Sequence, residues 1–429
     1  MSVPLDRLYH YIESVAEKIR GSRVIIYHFY PHGSKKLEDL TPLRVYNNTD
    51  IVYPEIYCND QEPLDYQFYD DYPPFGQMQE FLVTTDVKLP NIKKRSIFNI
   101  HDWALLLHSE QRSTHVDQYK NNYCIPVYYW SHAIIARDWF RFAEHAEQKK
   151  NIRKRFLIYN RAWSGTREYR LKFANYLIEL DVVFCSQMSC SPVDPGIDKH
   201  YNLHTFKNPA WRPNHVIEDY FPISTAESHY SAQFDIEDYN ATEIEVVLET
   251  LFDDDRLHLT EKILRPIAVG QPFMIAGPAG SLEYLRSYGF KTFNEIWDEG
   301  YDCKSNAEDR LYELTHTMKH ISQWSEEEKT SKLARAQDIA DYNRKHFFSK
   351  EFVDQVEDEL KNNLDAGFKE LEKLNTSTEY FRRRKVLANN PISRHFVFNP
   401  YDEVGNRQQT AKAVALARSH YLRSLSPDS

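Results

Sequence analysis

The sequence predicts an α/β protein of two domains built on parallel sheets, with helices closing the main body. Three observations predict it. At 429 residues the chain exceeds what one hydrophobic core usually fills, so two domains of roughly 150–200 residues are expected. Short β-branched apolar runs alternate with segments of helical periodicity, and their short connections argue for parallel pairing. Hydrophobic residues make up 41 % and aromatics 14 %, too apolar for a disordered chain. The expected division is 1–150, 151–350 and a final 351–429 of helices and basic tail.

In chain order, an amphipathic helix over Asp6–Arg20 precedes a buried strand at Val24–Phe29, and further strands are expected at Ile51–Cys58 and Trp103–His108. The last two end in polar loops carrying Asp60 and Glu62, and Glu110. A helix at Ile134–Ala146 leads through a basic linker to a strand at Arg155–Tyr159, ending in Asn160-Arg161. The helix Arg167–Leu180 brings Arg167 and Arg170 onto one face by their spacing of three. Val182–Cys185 reads as a strand and 186–239 as irregular structure. Then follow a strand at Ile244–Leu248, a helix at Thr260–Val269 stopped by Gly270, and a strand at Phe273–Ile275. A helix at Ser281–Tyr288, a last strand at Phe290–Phe293, and helices at Ala307–Gln323, Ser325–His346 and Lys350–Leu374 complete the body.

Several classes are disfavoured. The first twenty residues mix charge with apolar residues, unlike a signal peptide, and nowhere do eighteen apolar residues run together. Neither secretion nor a membrane partner is expected, and the expected location is the cytoplasm. The five cysteines are scattered without a CxxC pair and read as reduced thiols. Walker-type and GxGxxG loops are missing, which weakens kinase, ATPase and dehydrogenase readings. Asp253-Asp254-Asp255 reads as a solvated turn, and His200, His204 and His215 lack zinc-site spacing, so no metal is expected. The formal charge is -10, yet residues 376–429 carry nine Lys/Arg against four Asp/Glu. That tail, with Arg382, Arg383, Arg384 and Lys385, and the linker cluster Lys149, Lys150, Arg153, Lys154 and Arg155 read as solvated surface or as contacts for a polyanion such as double-stranded DNA.

The most informative stretch is Thr260-Glu261-Lys262 at a helix start. Unpaired N–H groups and partial positive charge there suit a diphosphate. Lys262 adds a cation for phosphate oxygens and Glu261 an acceptor for ribose hydroxyls. The bland alternative is that Thr260 caps, Glu261 favours the positive end and Lys262 is solvated. Loops at the C-terminal ends of strands face the ligand crevice of an open α/β sheet. Asp60, Glu62, Glu110, Asn160, Arg161 and Glu249 are therefore candidates as well.

The ordered array of Glu249, the acidic loop, Thr260-Glu261-Lys262, Gly270-x-Pro272-Phe273 and Gly277-Pro278 resembles the donor-binding segment of α1,3-fucosyltransferases and related GT-B enzymes; His258 stands where that family has a tyrosine. Asn160 followed by Arg167 and Arg170 is similar to its Ser-Asn…Arg motif. The resemblance spans about 155–300. It implies two Rossmann-like domains facing across a cleft and a UDP- or GDP-linked sugar as co-substrate, with no further cofactor. Glu261 would hold the ribose, Lys262 and the arginines the diphosphate, and Glu110 would act as general base, with Asp60 and Glu62 as the alternatives. The chain also looks like glycosyltransferase-like proteins of T-even-like and cyanobacterial phages, on phrases such as Val127-Tyr128-Tyr129-Trp130-Ser131-His132. That likeness implies transfer of glucose or arabinose to 5-hydroxymethylcytosine in viral DNA. A glycan, lipopolysaccharide or protein acceptor, or a non-catalytic nucleic-acid-binding or virion protein, are the rival expectations.

Overall fold

The computed structural model describes residues 6–21, 26–28, 44–46, 50–52, 56–58, 105–114, 126–188, 190–221 and 234–376. They form a mixed α/β protein with parallel sheets and C-terminal helices. The chain divides into two compact units, Pro4–Ser131 with Glu357–Ser429, and His132–Val356 with Met1–Val3. The boundary thus falls at 131/132 instead of 150/151. The helix Ala133–Trp139 packs on the helix Glu261–Val269 of the later unit, which draws 132–150 to that side.

In the earlier unit, the strands β1 (Ile26–His28), β4 (Ile56–Cys58), β5 (Leu105–His108) and β6 (Val127–Tyr129) form one parallel sheet in that order. A separate antiparallel ribbon pairs β2 (Arg44–Tyr46) with β3 (Asp50–Val52). The expected strand 51–58 is therefore two strands, and Pro54 falls between them. The helix Asp6–Arg20 buries Ile12, Val15 and Ala16, the i, i+3, i+4 stripe that its periodicity predicts. No separate C-terminal layer forms among the described residues. The helix Lys350–Thr376 buries Phe352 and Val356 in the later unit, then Leu360, Leu364, Phe368 and Leu371 in the earlier one. At Gly367 an added Cβ would come within 3.0 Å of Leu105 and 3.1 Å of Tyr128, so a larger residue would have to push one of these side chains back by a few tenths of an ångström. Hydrogen bonds from Tyr128 Oη to Glu370 (2.7 Å) and from Asn363 Nδ2 to the Tyr129 carbonyl (2.7 Å) fix its register.

In the later unit, β7 (Lys154–Ile158), β8 (Ser186–Met188), β11 (Thr242–Leu248) and β12 (Phe273–Ala276) make a parallel sheet ordered β12-β11-β7-β8. The chain leaves β7 for β8 on one side and returns to β11 on the other. The crossover between β7 and β11 is the place where doubly wound sheets open a crevice at their carboxyl ends. A two-residue pair, β9 (Val193–Asp194) with β10 (Lys199–His200), lies in the stretch expected to be irregular.

Two expected strands are not strands. Val182–Cys185 is a 3-10 turn after Asp181, which adopts φ 57°, and the strand follows at Ser186–Met188. Phe290–Phe293 pairs with no strand among the described residues. The buried Asn343 side chain takes the ladder's place, accepting from Lys291 N (2.8 Å) and donating to Lys291 O (2.9 Å). The helix expected over Ile134–Ala146 is an α-helix, Ala133–Trp139, and a 3-10 turn, Arg141–His145.

Of the linker cluster, Lys149, Lys150 and Arg153 are exposed, and three of the five cationic side chains have partners within the unit. Arg155 pairs with Glu243 (2.5 Å), and Lys154 donates to the Phe184 carbonyl (2.6 Å). Lys150 reaches under the sheet to the carbonyls of Tyr239 (3.0 Å) and Thr242 (3.2 Å) and to Gln271 Oε1 (2.5 Å). Cys185, Cys190 and Cys303 are free thiols. Among the described residues no cluster of His, Cys, Asp and Glu is arranged to hold a metal, and no helix is long and apolar enough to cross a membrane.

Burial lowers the Lys150 pKa from 10.5 to about 8. Between pH 8 and 10.5 the unfolded chain therefore holds a proton that the folded one has released, and stability rises with pH in that window. Lys150→Met is expected to remove that rise, about 1 kcal/mol once solvent screening of this partly exposed side chain is allowed for, read as the difference between variant and wild-type unfolding free energies from pH 8 to 10. Parallel curves would contradict the assignment.

Candidate functional site

The start of the helix Glu261–Val269 is built by the end of β11. Leu248 closes that strand and Glu249 follows, fully buried. Its carboxylate accepts from Thr260 N (3.2 Å) and from Thr260 Oγ1 (2.7 Å). Thr260, extended at φ -109° and ψ -171°, is the N-cap, and its hydroxyl accepts from Lys262 N (3.4 Å). The Lys262 ammonium folds back over this cap, donating to Thr260 Oγ1 (3.1 Å), Thr250 Oγ1 (3.2 Å) and Glu261 Oε1 (3.4 Å). One hydroxyl thus gives its proton to Glu249 and fills both lone pairs from Lys262, the full capacity of a threonine. At the other end Gly270 adopts φ 78°, its N–H and that of Gln271 closing on the Pro266 carbonyl at 2.9 Å each.

Glu261 is 1 % exposed, and its Oε2 lies 3.4 Å from Nε2 of His132, itself 2 % exposed. His258 packs edge-on against His132, ring centroids 6.3 Å apart. In this state the carboxylate assigned to a ribose is covered by histidine, not open to solvent.

On the other side of the crossover, Asn160 follows β7. Its Nδ2 donates to Cys190 Sγ (3.3 Å), whereas its buried amide oxygen accepts no hydrogen bond. The loop after it is pinned by Asp194, whose Oδ2 accepts from the backbone N of Trp163 (2.6 Å) and Ser164 (2.8 Å). Arg161 is exposed and Arg167 half-buried in the 3-10 turn Gly165–Arg167. Arg170 opens the helix Tyr169–Glu179 and is only 3 % exposed. Its Nη1 donates to the Ala162 carbonyl (2.7 Å), its Nη2 to those of Leu248 (2.8 Å) and Glu249 (3.1 Å). The one-face expectation for Arg167 and Arg170 is thus corrected: Arg167 precedes the α-helix, and Arg170 ties the β7 loop to the β11 loop instead of presenting its fork to a ligand. Tyr169 adds a second tie, Oη to the Glu249 carbonyl at 2.7 Å. Burial pushes its hydroxyl up to about 12, keeping it a donor.

The structure therefore gathers Asn160, Arg170, Glu249, Thr260, Glu261 and Lys262 around the β7/β11 crossover, with Glu249 and Arg170 as positioning groups. Glu110 lies in the earlier unit at the end of β5, 2 % exposed, its backbone N donating to His108 Nδ1 (3.2 Å). Asp60, Glu62, Arg382, Arg383, Arg384 and Lys385 lie outside the described residues. Asp253 and Asp255 are exposed and Asp254 pairs with Arg256 (2.7 Å), the solvated turn expected. His200 and His204 pair with Glu218 (2.9 Å) and Glu168 (2.7 Å). The sequence gives no signal for Thr250, Tyr169 or Asp194, because their partners, the Lys262 ammonium, the Glu249 carbonyl and the Trp163 and Ser164 amides, are brought to them only by the fold. The fold and site thus define a parallel α/β sheet with a capped, lysine-bearing helix start at its crossover. Compared with known proteins, the chain matches no family model, no curated protein and no solved structure.

Thr260→Val removes the cap and leaves the buried Glu249 carboxylate without its hydroxyl donor. The expected loss is about 1–3 kcal/mol in urea unfolding of the full chain, and an unchanged midpoint would contradict the clasp.

Proposed function

We propose that the protein is a nucleotide-sugar-dependent glycosyltransferase of the GT-B type, in which the His132–Val356 unit binds the donor and Glu110 is the general base. The observation that carries this reading is the Lys262 ammonium held over the capped start of the helix Glu261–Val269, at the carboxyl end of β11. A helix start and a cation together stabilise a diphosphate, both when bound and when it departs with new negative charge. The buried, unpartnered amide oxygen of Asn160 supports a ligand that brings a donor such as a sugar hydroxyl, since an unmet acceptor there costs stability.

In the proposed reaction the acceptor oxygen bonds to the anomeric carbon as the bond from that carbon to the diphosphate oxygen breaks. Glu110 takes the acceptor proton, because a neutral hydroxyl is a poor nucleophile until its proton is accepted. The leaving diphosphate carries away the bonding pair at Lys262. The hydroxymethyl group of modified cytosine in DNA is the acceptor proposed, supported by the surplus of Lys/Arg over 376–429.

Incubation with labelled UDP- and GDP-sugars and with plain or hydroxymethylated DNA tests the reading. Transfer is expected to the hydroxymethylated DNA alone, and no transfer to it from any donor would count against that acceptor. Glu110→Gln is expected to leave nucleoside diphosphate binding unchanged and lower turnover by about 100-fold or more. Lys262→Ala is expected to weaken that binding by about tenfold, a loss of ~1.4 kcal/mol. If no nucleoside diphosphate raises the melting temperature of the wild-type chain, the donor site is refuted.

A further inference from the structure

The later unit holds a cavity of about 270 Å³ that the diphosphate reading does not use. Four aromatic residues, Tyr169, Phe206, Trp211 and Phe252, are among those that line it. Tyr169 stacks on Phe252 with centroids 4.3 Å apart, and Phe206 meets Trp211 edge-on at 4.9 Å. Three of the rings are fixed by burial, at 6 %, 3 % and 1 % exposure for Tyr169, Phe206 and Phe252. Trp211 alone is half-exposed, in a loop between Pro209 and Pro213.

The cavity's inner carboxylates are already engaged. Glu168 accepts from His204 Nε2 (2.7 Å) and from Lys207 N (2.9 Å), and Glu308 pairs with Lys172. Of the three lining carboxylates, this leaves the exposed Asp253 at the rim for a hydroxyl-rich ligand. What remains is aromatic surface bordered by Thr166, Lys207 and Asn208, which suits a flat ring with polar edges. Whole small-molecule sites enclose about 300–1,000 Å³, so this cavity has room for one such ring system and not for a complete nucleotide sugar.

Its position supplies the rest. Phe252 lies two residues beyond Thr250, the hydroxyl that receives the Lys262 ammonium. Tyr169, a wall of the cavity, donates to the carbonyl of Glu249, whose carboxylate holds the helix cap. A single residue thus joins the aromatic cavity to the cationic helix start. We propose that this cavity seats the base of the nucleotide whose diphosphate Lys262 holds, with Trp211 as the ring that stacks on it. This rests on the donor-site reading above and adds to it where base selection is made.

Titration of the full chain with inorganic pyrophosphate and with the diphosphates of uridine, guanosine, adenosine, cytidine and thymidine tests both claims separately. At least one nucleoside diphosphate is expected to bind about tenfold or more tighter than pyrophosphate. Trp211→Ala is expected to erase that advantage while leaving pyrophosphate affinity as it was, and Trp211→Phe to restore most of it. Thr166→Phe, which fills the cavity from its rim, is expected to act like Trp211→Ala, and melting curves check that each variant is folded. If the nucleosides keep their advantage in Trp211→Ala and Thr166→Phe, the base sits elsewhere and the inference is overturned with the donor site intact. If neither pyrophosphate nor any nucleoside diphosphate binds the wild type, both fall together.

Discussion

The buried carboxylate of Glu249 governs the site. A charged group with no exposure is stable only when its oxygens are filled by donors, and the donors it finds are the backbone and the hydroxyl of Thr260. Satisfying Glu249 therefore requires the chain to return, eleven residues later, to the end of β11 and to begin a helix there. The same contacts fix the cap, the cap fixes where the first helical N–H groups point, and the cap hydroxyl anchors the Lys262 ammonium. The placement of the Lys262 ammonium at the carboxyl end of β11 is thus a consequence of one acid's need for partners.

Around that clasp, ties run across the crossover. Arg170 and Tyr169, neighbours at the start of one helix, both donate to the carbonyl of Glu249, and Arg170 also holds Ala162 and Leu248. Asp194 anchors the loop after β7 through two backbone amides. Deeper in the unit, Glu245 at the centre of β11 takes Arg265 from the helix Glu261–Val269 and the Tyr239 hydroxyl, binding strand to helix a second time. Burial raises the Glu245 pKa although Arg265 faces it, as expected where desolvation and ion pairing oppose each other.

The local chemistry of this arrangement was largely legible in the sequence. Threonine before an acid and a lysine, with glycine nine residues after the acid, marked both ends of the helix Glu261–Val269. Apolar runs marked β5, β7, β11 and β12 within two residues. What periodicity could not show was partnership. Phe290–Phe293 has the composition of a strand but found Asn343 instead of a neighbour. Val182–Cys185 was displaced into a turn while Ser186–Met188, less apolar, took the edge beside β7. Arg170 carries the positive charge that binding a phosphate needs, yet burial sent its donors to carbonyls. The domain boundary moved because packing on Glu261–Val269, and not composition, decides where residues 132–150 belong.

The central claim is that the crossover edge of the later unit receives a nucleoside diphosphate. Hydrogen–deuterium exchange of the full chain with and without a saturating nucleoside diphosphate tests it most directly. The account predicts slowed exchange confined to peptides covering 159–172, 204–213 and 249–264. Unchanged exchange in all three stretches, with protection appearing elsewhere, would contradict it.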